Sequence, residues 1–148
     1  MFVMAIRFYR VNDEYGCFSN FSKHGFELDG KYWMTSEHYF QAKKFIGTEC
    51  EEEVRISSTP MKAANIGRDR SKPLRKDWEE VKDDIMRKAV LEKFKANNDA
   101  KKILLSTGDE EIIEKTTKDY YWGCGEDGSG KNMLGKILME IRDILRNY

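Results

Sequence analysis

The chain predicts an α+β fold, mainly helical, with a small antiparallel β-sheet near its start. Three observations carry that prediction. Asp29-Gly30 lies between Phe26-Glu27-Leu28 and Lys31-Tyr32-Trp33, the pair a two-residue hairpin turn needs between aromatic and apolar strands. From residue 35 onward, helix start and stop signals recur. Near the C-terminus, Leu134, Ile137, Leu138, Ile141, Ile144 and Leu145 repeat at i, i+3, i+4 and i+7.

In chain order, residues 5–10 alternate like a strand, and the hairpin follows. Thr35 or Ser36 caps a helix running through Ile46, with Gly47 placed to end it. Tyr39, Ala42 and Ile46 share one face of that helix, with Phe45 at its margin. A short helix spans Cys50 to Ile56. Thr59-Pro60 opens the next, which Gly67 closes. Asp77 caps a longer helix whose stripe is Trp78, Val81, Ile85 and Ala89, with Met86 and Val90 beside it. A segment from Asp99 to Leu105 is helical and stops near Gly108. Glu111 to Lys115 reads as a strand because of Ile112-Ile113 and the Thr pair that follows.

Length and charge narrow the function classes. The 148 residues fit one domain, 1–148, able to bury about two-thirds of its unfolded surface. The 26 basic and 26 acidic side chains cancel, and no basic stripe stands out, so a large nucleic-acid footprint is not expected. MFVMAIRFYR holds too short an apolar run for a secretory leader. No run approaches the ~20 residues that span a bilayer, so no membrane partner is expected. Cys17, Cys50 and Cys124 are scattered, without a CxxC, which suits a reducing cytoplasmic setting. His24 and His38 are the only histidines and lack metal-ligand spacing, so no metal and no cofactor are expected.

The stretch GCGEDGSGKNMLGK, residues 123–136, matches a dinucleotide fingerprint (Gly123-x-Gly125-x-x-Gly128) and a Walker A loop (Gly125-x4-Gly130-Lys131). Neither has its context. The Walker pattern needs Ser or Thr where Asn132 stands, and the fingerprint needs a second strand after its helix. What remains is a glycine-rich loop entering a helix, which can offer backbone N–H groups to an anion, or can simply turn.

Glu37, Gln41 and Lys44 share one helix face at i, i+4 and i+7. Glu37 also lies in the first turn, where the helix dipole favours a carboxylate. Such a group suits stabilisation of a cationic transition state, and equally suits mere complementation of the dipole. Asp119 and Trp122 immediately precede the glycine loop. An acid, a flat ring and a possible phosphate cradle then lie within a few residues, a combination suited to a nucleotide-like substrate.

The motifs together resemble the NADAR, or YbiA-like, family of N-glycosidases over nearly the whole chain. They are Tyr15-Gly16-Cys17-Phe18-Ser19-Asn20-Phe21, Trp33, Thr35 through Phe45, Ala64-Asn65-Ile66-Gly67-Arg68, Arg75-x-Asp77-Trp78 with Met86, Asp119 through Gly123, and Gly130 through Gly135. The resemblance implies a YbiA-like fold and hydrolysis of the C–N bond between a ribose derivative and a base. The substrate would be a phosphoribosylamino-pyrimidine of riboflavin synthesis or ADP-ribosylated guanine in nucleic acid. By matching position, Glu37 would be the principal catalytic carboxylate, with Asp119 assisting. Trp78 and Trp122 would stack on the base, Lys44, Arg68 and the loop at Gly128 to Asn132 would hold phosphate, and Gly123 would be a further substrate contact. Phe18 and Asn20 would complete the substrate contacts. Glu37 could act as base, nucleophile or electrostatic stabiliser. A non-catalytic module that binds nucleotide or ADP-ribose is the alternative.

Overall fold

The computed structural model describes residues 5–148, and the reading of the first residues as no leader lies partly outside them. The chain forms two compact units, residues 23–96 and a second built from both ends of the chain.

Residues 23–96 begin with β2 (Phe26–Leu28) and β3 (Lys31–Trp33), counting β1 in the other unit first. They pair antiparallel, with Phe26 opposite Trp33 and Leu28 opposite Lys31. Asp29 (φ 56°) and Gly30 (φ 77°) supply the two left-handed residues of the turn. Asp29 is tied there by its side chain, which accepts from the Tyr39 hydroxyl at 2.7 Å and pairs with Lys43 at 3.4 Å.

The hydroxyl of Thr35 caps α1 (Ser36–Ala42) by accepting from His38 N–H at 3.1 Å. Every residue of α1 is buried, so its polar side chains need partners inside the protein. The helix tightens into a 3-10 turn at Lys43–Phe45. The chain then turns extended at Ile46 (φ −51°, ψ 133°). Ile46, expected on the same helix face as Tyr39 and Ala42, is consequently exposed while those two are buried. Next come α2 (Glu49–Arg55) and α3 (Pro60–Gly67), capped by Thr48 and Thr59. The long α4 (Trp78–Ala96) buries Trp78, Ile85, Met86, Ala89, Val90 and Phe94. The Asp77 carboxylate, expected to cap α4, instead takes a fork from Arg75 at 2.6 and 3.0 Å. The backbone N–H of Arg75 donates to the Lys44 carbonyl at 2.8 Å, joining the entrance of α4 to the end of the α1 segment.

In the second unit β1 (Ile6–Phe8) pairs with β4 (Ile112–Glu114), Ile6 opposite Ile112. The pair is parallel, so the two strands come from distant parts of the chain. This second sheet was not anticipated. Periodicity marks both segments as strands but does not name their partners. Between them in sequence lies α5 (Asn98–Ser106), followed by Gly108 at φ 62°. The terminal α6 (Met133–Arg146) buries Leu134, Ile137, Leu138, Ile141 and Leu145. Ile144, expected in the same stripe, is 47% exposed, because it lies at the solvent edge of the apolar arc. Within the described residues no helix is long and apolar enough to cross a membrane. The architecture is α+β and mainly helical, with small sheets.

The imidazole of His38 sits between two fixed partners. Nε2 donates to the Ser57 carbonyl at 3.0 Å, so Nδ1 is the acceptor for the Thr35 hydroxyl at 2.7 Å. Burial pushes the His38 pKa down. The unfolded chain therefore binds a proton that the folded one refuses, and stability falls as pH drops below the ordinary imidazole value of about 6.5. Melting temperatures measured from pH 7.5 to 5 are expected to fall more steeply for the native chain than for His38→Gln; parallel curves would contradict this assignment.

Candidate active site

The first set of functional side chains lies in residues 23–96. Glu37, 7% exposed, stands in the first turn of α1. One turn later Gln41 donates its side-chain N–H to Glu37 Oε2 at 2.7 Å. The helix therefore supplies both the carboxylate and a neighbour that orients it, as the i, i+4 spacing allows.

Lys44 follows from the 3-10 turn. Its ammonium donates to the Gly67 carbonyl at 3.3 Å and lies 5.7 Å from the Phe40 ring and 5.6 Å from the Trp78 ring. The two rings meet edge to face, their centroids 5.0 Å apart. Burial pushes the Lys44 pKa down to about 8; Arg70 and Arg68 push the same way, while Glu37 and Glu79 oppose them. Arg70 donates to the same Gly67 carbonyl. Lys44, Arg68 and Arg70 thus form a cationic group around the end of α3, with Glu37 within its electrostatic reach. Trp78 is 7% exposed, its indole held by Phe40 and Lys44.

The i, i+4, i+7 spacing brings Glu37, Gln41 and Lys44 to one face, whereas Arg68 is singled out only by the family resemblance. Sequence reasoning did not single out Arg70, which lies beyond the end of α3, in residues without periodicity. It read Gly67 only as a helix terminator.

The second set lies in the unit containing residues 97–148. Asp119 Oδ1 accepts from the backbone N–H of Tyr121 at 3.0 Å and of Trp122 at 2.8 Å, closing a turn that sets the half-buried Trp122 ring. The ring of Trp122 packs against Tyr121 with centroids 4.9 Å apart. Phe18 is packed as core, 1% exposed, stacked on Tyr15 and edge-on to Phe8. Burial leaves its ring no surface to offer a ligand. Asn20 is half-buried just after the 3-10 turn at Gly16–Phe18.

The glycine loop does not form the anion cradle that its pattern suggested. The N–H groups of Cys124, Glu126, Gly128, Gly130, Lys131 and Asn132 donate to carbonyls inside the protein, and Gly125 N–H donates to the Thr116 hydroxyl. At the start of α6, Met133 and Leu134 donate to the carbonyls of Tyr121 and Trp122 at 2.9 and 3.0 Å. Donors expected to face a phosphate are already used. Asn132, in the left-handed region at φ 54°, brackets β4: Oδ1 accepts from Glu114 N–H and Nδ2 donates to the Ile112 carbonyl, both at 2.9 Å. Gly123 is glycine for space, since a Cβ there would lie 2.3 Å from the Thr116 hydroxyl oxygen. Asn132 docks the start of α6 onto β4 with both side-chain groups, and its N–H donates to the Gly123 carbonyl. Among the described residues no three His, Cys, Asp or Glu side chains are grouped to hold a metal ion.

Comparison with known proteins identifies the family. The model of the NADAR domain matches residues 7–146. The N-glycosidase YbiA of Escherichia coli is 52% identical over 140 residues, covering 95% of this chain and 88% of that protein. An N-glycosidase of Nostoc punctiforme is 47% identical, over 97% of this chain and 94% of its own length. A riboflavin biosynthesis protein of Zea mays is 39% identical over 93% of this chain, which spans 24% of that longer protein. The solution NMR structure of Escherichia coli YbiA superimposes with a TM-score of 0.91 at 50% identity, covering 99% of this chain and 88% of that one. The chain belongs to the NADAR family and is an N-glycosidase, a hydrolase acting on N-glycosyl bonds.

Proposed function

We propose that the substrate is a phosphoribosylamino-pyrimidine and that Glu37 carries the chemistry, within one NADAR domain spanning the chain and working in the cytoplasm. Departure of the base leaves a ribose with oxocarbenium character. A carboxylate near the anomeric carbon lowers that barrier electrostatically and orients the attacking water. The observation that carries this reading is the buried Glu37 side chain held by Gln41 at 2.7 Å, with the cationic group of Lys44 and Arg68 nearby for a phosphate. The riboflavin-related names of two relatives, from Zea mays and Vibrio vulnificus, support the substrate class. The balanced net charge argues against a broad nucleic-acid surface.

The remaining roles are assigned residue by residue. Trp122, half-buried, offers a ring for base stacking, and Asp119 retains carboxylate oxygen Oδ2 for a ribose hydroxyl or a proton. Trp78 backs Lys44 and Phe40. No redox or metal step is needed for C–N hydrolysis by this route.

Replacing Glu37 with Gln is expected to lower turnover by about 100- to 1000-fold while leaving substrate binding close to native. Release of free base, followed separately from a phosphoribosylamino-pyrimidine and from DNA carrying ADP-ribosylated guanine, is expected from the former. Release from the modified DNA alone would overturn the substrate assignment. Turnover undiminished in Glu37→Gln would overturn the mechanism.

The cation at Lys44 gives a pH signature. Above about 8 its folded ammonium loses its proton, and the substrate phosphate loses that charge partner. The kcat/KM is therefore expected to fall as pH rises through about 8. Lys44→Arg, whose guanidinium stays charged to above about pH 12, is expected to move that limb upward. An unmoved limb would exclude Lys44 from phosphate binding.

A further inference from the structure

We propose that Gln41 is a positioning residue for the glycosidase reaction, and that position 67 is glycine so that the Gln41 amide can lie where it fixes the Glu37 carboxylate. This rests on the reading of Glu37 as the catalytic carboxylate.

Three observations converge. Gln41 is 3% exposed, and its Nε2 donates to Glu37 Oε2 at 2.7 Å. Its carbonyl oxygen is buried without a hydrogen-bond partner. That oxygen rests on α3: a Cβ at Gly67 would lie 1.9 Å from Oε1 and 2.6 Å from Cδ of Gln41. Gly67 is not among the residues with positive φ, so its backbone does not demand glycine. Within a helix, glycine is unfavourable relative to alanine. Space for the Gln41 side chain is the reason that remains, its Cβ at 2.9 Å as well as its amide.

A buried amide with an orphan acceptor is a poor choice for packing alone, because an apolar side chain of the same length would fill the volume without an unsatisfied oxygen. The useful end is the N–H. Turned the other way, the amide would set its oxygen against the carboxylate, so the charge on Glu37 selects the orientation observed. A fixed donor on one carboxylate oxygen orients the other and favours the ionised form. Lys44 lies in electrostatic reach of Glu37, and around Lys44 in turn lie Arg68 and Arg70 beyond α3 and Glu79 on α4. The same Gly67 residue that admits the amide offers its carbonyl to Lys44 and Arg70. Glu37, Gln41 and the cationic group are therefore registered against one point of α3.

The test compares Gln41→Met, Gly67→Ala and the double variant with the native chain, measuring kcat, KM and the pH profile on a phosphoribosylamino-pyrimidine, with melting temperature alongside. Each single variant is expected to lower kcat by up to about 100-fold with KM within about 2-fold of native. The acid limb of kcat should move upward as the carboxylate loses its donor. The double variant should be no slower than the slower single one, because both remove the same contact. Should Gln41→Met fail to fold, Gln41→Leu, which also removes the donor without adding a charge, takes its place under the same criteria. Native kcat and an unmoved acid limb in the Gln41 variant, with Glu37→Gln inactive, would sink this inference alone. An active Glu37→Gln would sink the underlying reading instead.

Discussion

A carboxylate buried on a helix that has no solvent face is the constraint that organises residues 23–96. α1 is buried along its whole length, yet its sequence contains Ser36, Glu37, His38 and Gln41. An ionised group removed from water is costly unless hydrogen bonds and nearby opposite charge replace its hydration. Each polar residue of α1 for which a contact is described has such a partner: His38 between Thr35 and Ser57, and Glu37 on Gln41 with Lys44 in electrostatic reach. The neighbouring elements are placed to hold that helix. The hairpin turn reaches it through Asp29 and Tyr39, α3 meets it at Gly67, and Arg75 ties the start of α4 to its end.

The same arrangement is what the proposed placement of the glycosidic chemistry on Glu37 draws on. Preorganised charge acts most strongly where water is scarce, since the surrounding dipoles need not reorganise when a cation forms. Lys44 shows the environment from the opposite sign: burial among Phe40, Trp78 and two arginines holds its pKa at about 8. The opposing influence of Glu37 on Lys44 couples the carboxylate electrostatically to the cationic group.

The local chemistry of the elements was legible in the sequence, while their pairing was not. Asp29-Gly30 specified its own turn, Thr59-Pro60 its own helix start, and residues 134–145 their own buried stripe, because each is governed by neighbours in the chain. Ile46 and Ile144 departed from their predicted faces where a helix tightened and where an apolar arc reached its solvent edge. The parallel pairing of β1 with β4 was hidden because it joins residues about a hundred positions apart. The glycine loop misled most. Its pattern suggested open N–H donors, whereas the tertiary fold turns those donors onto carbonyls between residues 114 and 125 and makes Asn132 a bracket for β4. Gly67 shows the opposite case, a residue whose importance appears only when the side chain lying on it is seen.

The central claim, that the Glu37 carboxylate faces the carbon at which the cation forms, is tested most directly by a crystal structure of Glu37→Gln with uncleaved phosphoribosylamino-pyrimidine bound. The account predicts the anomeric carbon within about 3.5 Å of the side-chain amide at position 37, or one water away from it. A substrate bound with that carbon in another part of the protein, remote from α1, would contradict it.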